Sequence, residues 1–326
     1  MDELARLLSD GWGLPSPQIE PTAQGADRAS RLYQVRDSAG ARWILKWRAG
    51  PVNHGALRLP HFMRESGAQA FLAPVPTLDG ELQVAVSGGY LALLPRIDGD
   101  NGFERPLNAD AWRQLGQALR ALHDAPLPDD LRRTLPQEPF STRSCAALRG
   151  TLPRIFANSD DPLLRDLSQL LRDKRESLSW LMDRSDSLAR QLRQRDLPCV
   201  ACHGDIHAGN VLVDSGNRLY LVDFDTLQLA PRERDLMFIG AGVAGHWQSA
   251  RAYTWFREGY GPLQPDPPAI AFFRCERIVA DLLDYCRQIL DSDAGPQREF
   301  ALAELQRQLA PGPELRIARE SVKALV

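Results

Sequence analysis

Lysine is almost missing from this chain. Of its 39 basic residues in 326, only Lys46, Lys174 and Lys323 are lysines. Arginine therefore carries the surface charge, and each retained lysine becomes a candidate for work that suits a compact ammonium better than a planar guanidinium. Long apolar runs are missing too: none approaches the ~20 residues of a membrane helix, which excludes a helical span. There is no excess of positive charge either. A net charge of −3 and a pI near 6.1 leave no basic footprint for nucleic acid. The opening stretch Met1-Asp-Glu-Leu-Ala-Arg-Leu-Leu-Ser-Asp carries early acids and lacks the basic start and apolar core of a secretory signal. Cysteine is scarce and odd in number, five in all; without an export signal this predicts reduced thiols and a cytoplasmic location. Length, by contrast, is ample. It is near the size at which one core divides, so two lobes are expected, in a monomer or weak homodimer.

What is present centres on His203-Gly-Asp205-Ile-His207-Ala-Gly-Asn210, followed by Val211-Leu-Val-Asp214-Ser-Gly216-Asn217-Arg-Leu-Tyr-Leu-Val222-Asp223. Apolar residues 211–213 and 219–222 flank Asp-Ser-Gly-Asn, which supplies the left-handed and Asx conformations of a tight hairpin turn. A turn centred on Gly216 and Asn217 would set Asn210 directly across from Asp223. An amide oxygen and a carboxylate then share one open end, with Asp205 on the loop before them. A hard cation such as Mg²⁺ prefers this oxygen set to nitrogen or sulfur. A carboxylate left over beside such a metal is the arrangement of phosphoryl-transfer enzymes. Asp205 would orient and deprotonate an acceptor hydroxyl, while Asn210 and Asp223 hold Mg²⁺ on the phosphates of ATP.

Two shorter patterns overlap this one. Cys199-Val-Ala-Cys202-His203 spells a c-type haem attachment motif, but it sits in an apolar run suited to a buried strand, where cysteine serves as a small hydrophobe. His203-x-Asp205-x-His207 could be drawn as a metal-hydrolase cluster, yet no third His or Cys ligand stands nearby, which argues against zinc. His203 reads instead as a packed residue fixing the loop, and His207 as a local hydrogen-bonding one.

His-Gly-Asp-x-His-x-x-Asn followed by Val-Asp-Phe-Asp resembles the catalytic and metal-binding loops of the aminoglycoside phosphotransferases, relatives of the protein kinases. Asn101-Gly-Phe-Glu-Arg-Pro-Leu, residues 112–123 and 230–243, Arg257-Glu-Gly-Tyr-Gly261 and residues 276–282 are similar to the spectinomycin phosphotransferase branch, in order along nearly the whole chain. The resemblance implies a mixed α/β (α+β), bilobal, protein-kinase-like fold. A small β-rich nucleotide-binding lobe would span residues 1–95, and a larger, mostly helical lobe residues 96–326, with a helical insert at about 140–195. It also implies ATP- and Mg²⁺-dependent transfer of the γ-phosphate to a hydroxyl of a cationic small molecule, spectinomycin, giving antibiotic resistance. A kinase of another aminoglycoside, choline or homoserine, or a non-catalytic nucleotide-binding protein, are the alternatives.

Along the chain, a short helix and three antiparallel strands open the N-terminal lobe. In the third strand Trp43, Leu45 and Trp47 alternate with Ile44 and Lys46, so Lys46 leaves on the face opposite the tryptophans. In the kinase-like reading that face meets the ATP phosphates. The glycine-rich loop of kinases is reduced to Gly25, with Ser30 as a further phosphate contact. No acid stands between Lys46 and Glu65, and Pro60 interrupts the helical run 54–64, so Glu65 is the candidate ion-pair partner of the lysine. Residues 96–102 break regularity and read as an interlobe hinge, whose backbone near Leu94, Arg96 and Ile97 would bond an adenine edge. Leu recurrence at three and four residues from Trp112 predicts a helix, and two further helices are expected over residues 141–156 and 162–192. In the kinase-like fold Asp235 would clamp the catalytic loop from the head of the next helix. Asp225 stands where protein kinases carry glycine. With Glu276 and Asp281 it is a candidate for binding the amines of a cationic acceptor, since an ammonium that loses water needs charge-assisted hydrogen bonds in return.

Overall fold

The computed structural model describes residues 2–22, 29–240, 247, 249–292, 295–310 and 312–325. The chain separates into two compact units. One comprises Met1–Pro136, His203–Gln228 and Glu258–Tyr260; the other Gln137–Cys202, Leu229–Arg257 and Gly261–Val326. Residues 96–136 and 203–228 thus cluster with the N-terminal strands, and these units are not the lobes drawn from the sequence. The boundary at residues 95 and 96 stands as a proposal about lobes.

In the first unit, helix α1 (Asp2–Trp12) precedes strands β1 (Gln18–Pro21), β2 (Ser30–Arg36) and β3 (Arg42–Ala49). Helix α2 (His54–Glu65) and strands β4 (Val84–Val86) and β5 (Gly89–Pro95) follow. The sheet is antiparallel, in the order β1-β2-β3-β5-β4. Its alternation is the one the sequence predicts: Leu8 and Trp12 of α1 pack on Val35, Leu45, Leu91 and Leu93, with Trp43 and Trp47 at the edge of that cluster. Lys46 pairs in register with Leu32 and Ala92 on the other face. Asn53 caps α2, accepting from Ala56 N. Pro60 does not interrupt this helix. A proline removes one bond of the ladder, and here Leu59, Pro60 and Met63 are buried, so packing holds the turn.

The hairpin forms from Val211–Asp214 and Leu219–Leu221, but its register differs by one from the expectation. Val211 faces Leu221 and Val213 faces Leu219, and Val222 N donates to Asn210 O at 3.1 Å, so Asn210 lies across from Val222. The turn holds three residues, Ser215 to Asn217. Asp214 N donates to Arg218 O, Asn217 N donates to Asp214 O, and Asn217 sits at φ 61°. A left-handed residue closing a three-residue loop is a standard hairpin solution, and its odd length moves the axis onto Gly216. The supposed hinge is likewise more regular than its composition suggests: strand β6 (Gly99–Asn101) pairs antiparallel with residues 212–214.

The second unit is mostly helical. Arg143–Phe156 forms as expected, whereas the run expected over 162–192 splits at Lys174 into Pro162–Asp173 and Arg175–Leu192. Asp161 caps the first of these by accepting from Leu163 N at 2.9 Å, and Pro162 occupies the first helical turn. Helix Pro267–Asp291 carries Ile278, Val279, Leu282 and Leu283 into a core shared with Leu148, Leu167, Leu171, Leu181 and Leu305. Among the described residues no helix is long and apolar enough to cross a membrane.

Candidate active site

The loop at residues 203–210 is built on a buried imidazole. His203 is fully buried; its Nε2 lies 2.9 Å from Val222 O, and Asp205 N donates to its Nδ1 at 3.3 Å. These two bonds fix a neutral tautomer with the proton on Nε2. Thr226 Oγ1 donates to His203 O at 2.9 Å, and the ring packs on Phe224 at 4.8 Å. Gly204 adopts φ +84°, and a Cβ there would lie 2.5 Å from Thr226 O, so the tight approach of the two segments requires glycine. His207 Nδ1 accepts from Gly209 N at 3.0 Å. Its Nε2, 3.7 Å from Asp205 Oδ2, therefore carries the proton toward that carboxylate. Phe103 stacks on the same ring. Both histidines act as the sequence suggests, in packing and local bonding. The C-x-x-C-H pattern is packing as well: Cys202 is buried, its Sγ lies 3.5 Å from Ala230 O, and burial pushes its thiol well above the ordinary value.

Asn210 is 8 % exposed and donates Nδ2 to Asp205 O at 2.8 Å. That bond orients the amide and leaves Oδ1 as the atom for a ligand. Asp223 follows the hairpin in the left-handed region, at φ 63° and ψ 69°. Asn210 Oδ1 and the Asp223 carboxylate are both oxygen donors, the chemistry that would fit Mg²⁺ and not a metal seeking nitrogen or sulfur.

Lys46 finds its partners here. Its Nζ lies 2.8 Å from Asp223 Oδ1 and 2.6 Å from Asp225 Oδ2. Glu65 is not among them: its side chain is 69 % exposed and faces His61 one helical turn away at 3.4 Å. The lysine points off a strand face toward residues 223–225, while Glu65 sits at the end of α2. Partial desolvation opposes ionisation of Asp223, but the lysine beside it outweighs this and holds the carboxyl at about 2. At Asp225 burial dominates and the carboxyl rises above the ordinary value despite the same lysine. Burial would lower the ammonium of Lys46; the two aspartates outweigh it and raise it above 10.5.

Arg48 was not read from the sequence as part of this site, yet it donates Nη1 to Asp225 Oδ2 at 2.5 Å and to Ser30 Oγ at 3.0 Å. Its position two residues after Lys46 on one strand was the available signal. Ser30 thus stands at the site through Arg48. Gly25 lies outside the described residues. Leu94 faces Ile44 across the sheet, on the side of Lys46, Leu32 and Ala92. Arg96 N donates to Arg42 O at 3.2 Å, so its N–H is engaged in the sheet, and its side chain bonds Gln34 and Asp98. Ile97 follows, half-buried, outside any strand.

Three expected residues belong to the second unit. Asp235 is fully buried in the short helix Glu233–Leu236. Glu276 accepts from Ser144 Oγ at 3.2 Å and pairs with Arg234 at 3.3 Å; Asp281 pairs with Arg277 at 2.9 Å and accepts from Gln308 Nε2 at 3.1 Å. Both acids are therefore engaged with arginines of their own unit, as an arginine-rich chain favours.

The model of the phosphotransferase enzyme family matches residues 20–273. No curated protein shows a significant match. Among solved structures, spectinomycin phosphotransferase in complex with ADP and spectinomycin is 30% identical, with a TM-score of 0.89 over 98% of each chain. Its AMP-bound complex gives 30% identity and a TM-score of 0.85 over 97% of each chain. Likeness in fold extends to an amicoumacin kinase in complex with AMP-PNP and Ca²⁺, at 16% identity and a TM-score of 0.66, covering 96% of this chain and 94% of that one.

Proposed function

Because the chain belongs to the phosphotransferase enzyme family and shares its kinase-like α/β fold, we propose that it transfers the γ-phosphate of ATP to a hydroxyl of spectinomycin. The observation that carries this reading is the 30% identity to a spectinomycin phosphotransferase along 98% of both chains. The grouping of Asp205, Asn210, Asp223 and Lys46 in one unit supports the chemistry.

In this reading Asp205 accepts the proton of the acceptor hydroxyl as its oxygen attacks the γ-phosphorus, and the bond to the β–γ bridging oxygen breaks to release ADP. His203 and His207 hold the loop that carries Asp205. Asn210 and Asp223 would hold Mg²⁺, which supplies charge neutralisation to the phosphates when bound. Lys46 meets those phosphates. Leu32, Ile44, Ala92 and Leu94, on the same sheet face by register, suit the apolar flanks of an adenine, with backbone groups at Leu94 and Ile97 for its edge. Asp235 is proposed to steady the catalytic loop, and the lobes to divide at residue 95. A monomer or weak homodimer in the cytoplasm completes the proposal. Since Glu276 and Asp281 are already paired with arginines, a kinase of another small hydroxyl compound is the second reading.

The test is Mg²⁺-dependent ADP release by the purified protein, with spectinomycin run beside kanamycin, hygromycin, choline and homoserine. Release confined to spectinomycin is expected. Release with another acceptor would keep the chemistry and replace the substrate; ATP binding without release across the panel would favour a non-catalytic protein.

A further inference from the structure

Lys46 and Arg48 stand two residues apart on β3, so both side chains leave the sheet face opposite Trp43 and Trp47. One carboxylate oxygen joins them. Asp225 Oδ2 lies 2.6 Å from Lys46 Nζ and 2.5 Å from Arg48 Nη1. The same Arg48 nitrogen donates to Ser30 Oγ at 3.0 Å, and Ala49 N donates to Ala29 O at 2.8 Å. The guanidinium thus ties the first residue of β2 to the residue two beyond Asp223.

Resting on the nucleotide site proposed above, we propose that Arg48 is a second cation for the phosphates of ATP, and that Asp225 is the positioning carboxylate that aligns Lys46 and Arg48. Three observations carry this. The four charged groups, Lys46, Arg48, Asp223 and Asp225, sum to zero, and a triphosphate entering with one divalent metal still brings net negative charge that a lone ammonium balances incompletely. Residues 25–30 hold a single glycine, where the kinase-like pattern carries several, and a guanidinium fork adds donors suited to phosphate oxygens. The side chains of Lys46, Arg48 and Asp225 are 13%, 24% and 12% exposed. They are therefore ordered before any ligand arrives, which lowers the entropy cost of binding. Glu65, exposed and facing His61, leaves the lysine to Asp223 and Asp225, of which Asp225 also holds Arg48.

The experiment measures steady-state ADP release and thermal protection by ATP on the full chain and its variants R48A, R48K and D225N, at several MgCl₂ concentrations. R48A is expected to raise KM for ATP about tenfold or more and to remove most of the thermal protection, as loss of a charge-assisted phosphate contact does. KM for spectinomycin should stay within about twofold. R48K, with the charge but not the fork, should fall between. D225N should raise KM for ATP without moving the half-saturating Mg²⁺ concentration, and adding R48A to it should worsen KM by less than the product of the two effects. An R48A protein that melts like wild type and keeps its KM for ATP would overturn the role of Arg48. A D225N protein whose only change is a weakened response to Mg²⁺ would make Asp225 a metal ligand instead. Should R48A fail to fold, R48Q carries the same comparison. A wild-type protein with no ATP protection would sink the nucleotide site itself, a failure distinct from variants that bind as well as wild type.

Discussion

Asp205 is tied to His203 through its own backbone: its N–H donates to Nδ1 of the buried ring at 3.3 Å, while Nε2 of that ring reaches Val222 O at 2.9 Å. One neutral imidazole thus spans from the proposed base to the residue just before Asp223. Replacing it with alanine orphans a part-buried donor and a part-buried acceptor. His203→Ala is expected to lower stability by about 1–3 kcal/mol and to reduce kcat along with it, read by thermal melting and ADP release. A variant with wild-type melting and wild-type kcat would remove His203 from the support of the loop.

Asp205→Asn keeps shape and loses basicity. Turnover should fall by about 10²–10⁴-fold, the range for loss of a general base. ATP affinity, measured by calorimetry, should change little, because a base acts on the acceptor. Turnover near the wild-type rate would remove Asp205 from this role.

Much of this arrangement could be read from residue order. The alternation in residues 43–47 gives both the core face and the direction of Lys46, and the apolar runs around residues 214–217 give the hairpin. What escaped were quantities set by single torsions or distant partners. The hairpin register turned on whether Asn217 adopts a left-handed conformation, a choice between two- and three-residue turns that composition leaves open. The partners of Lys46 lie 177 and 179 positions away at Asp223 and Asp225. Within the nearby helix the acid at hand is Glu65. Arg277, four residues before Asp281, could have warned that this acid is paired within its helix.

The five thiols should differ sharply in reactivity. Burial pushes Cys145 up to about 11 and Cys275 and Cys286 up to about 12, and raises Cys202 as well, whereas Cys199 is only half-buried. At pH 8 roughly one in a thousand Cys145 thiols is ionised, and thiolate is the reactive form. Mass spectrometry after brief treatment with a thiol reagent should find label at Cys199 alone, and at all five once the chain is unfolded. Rapid labelling of Cys275 in native protein would contradict its burial.

Asp266 offers a stability test against pH. It caps helix Pro267–Asp291 by accepting from Ala269 N at 3.0 Å and pairs with both Nη atoms of Arg195. Burial pushes the carboxyl up, but these partners outweigh it and hold it below 3.8. A carboxyl lowered by folding stabilises fully above its unfolded value and loses that contribution as pH falls through its folded one. Asp266→Asn keeps a capping oxygen and loses the charge. It should cost about 1 kcal/mol at neutral pH, and the difference from wild type should shrink as denaturation is repeated below about pH 4. A constant difference down to acid pH would rule out the charge as its source.

Asp223 sits in the left-handed region at φ 63°, where most side chains cost about 1–2 kcal/mol and only glycine, asparagine and aspartate are readily tolerated. Two separate demands therefore fall on one residue, a torsion and a charge. Glycine meets the first and asparagine meets the first with an oxygen, but neither supplies the anion. An alanine at this position would confound backbone strain with lost chemistry, so its inactivity would say little about the metal. Asparagine changes only the charge. Among random substitutions the position should show almost no graded series, with aspartate alone active, asparagine folded but silent, and nearly every other residue impaired in both respects.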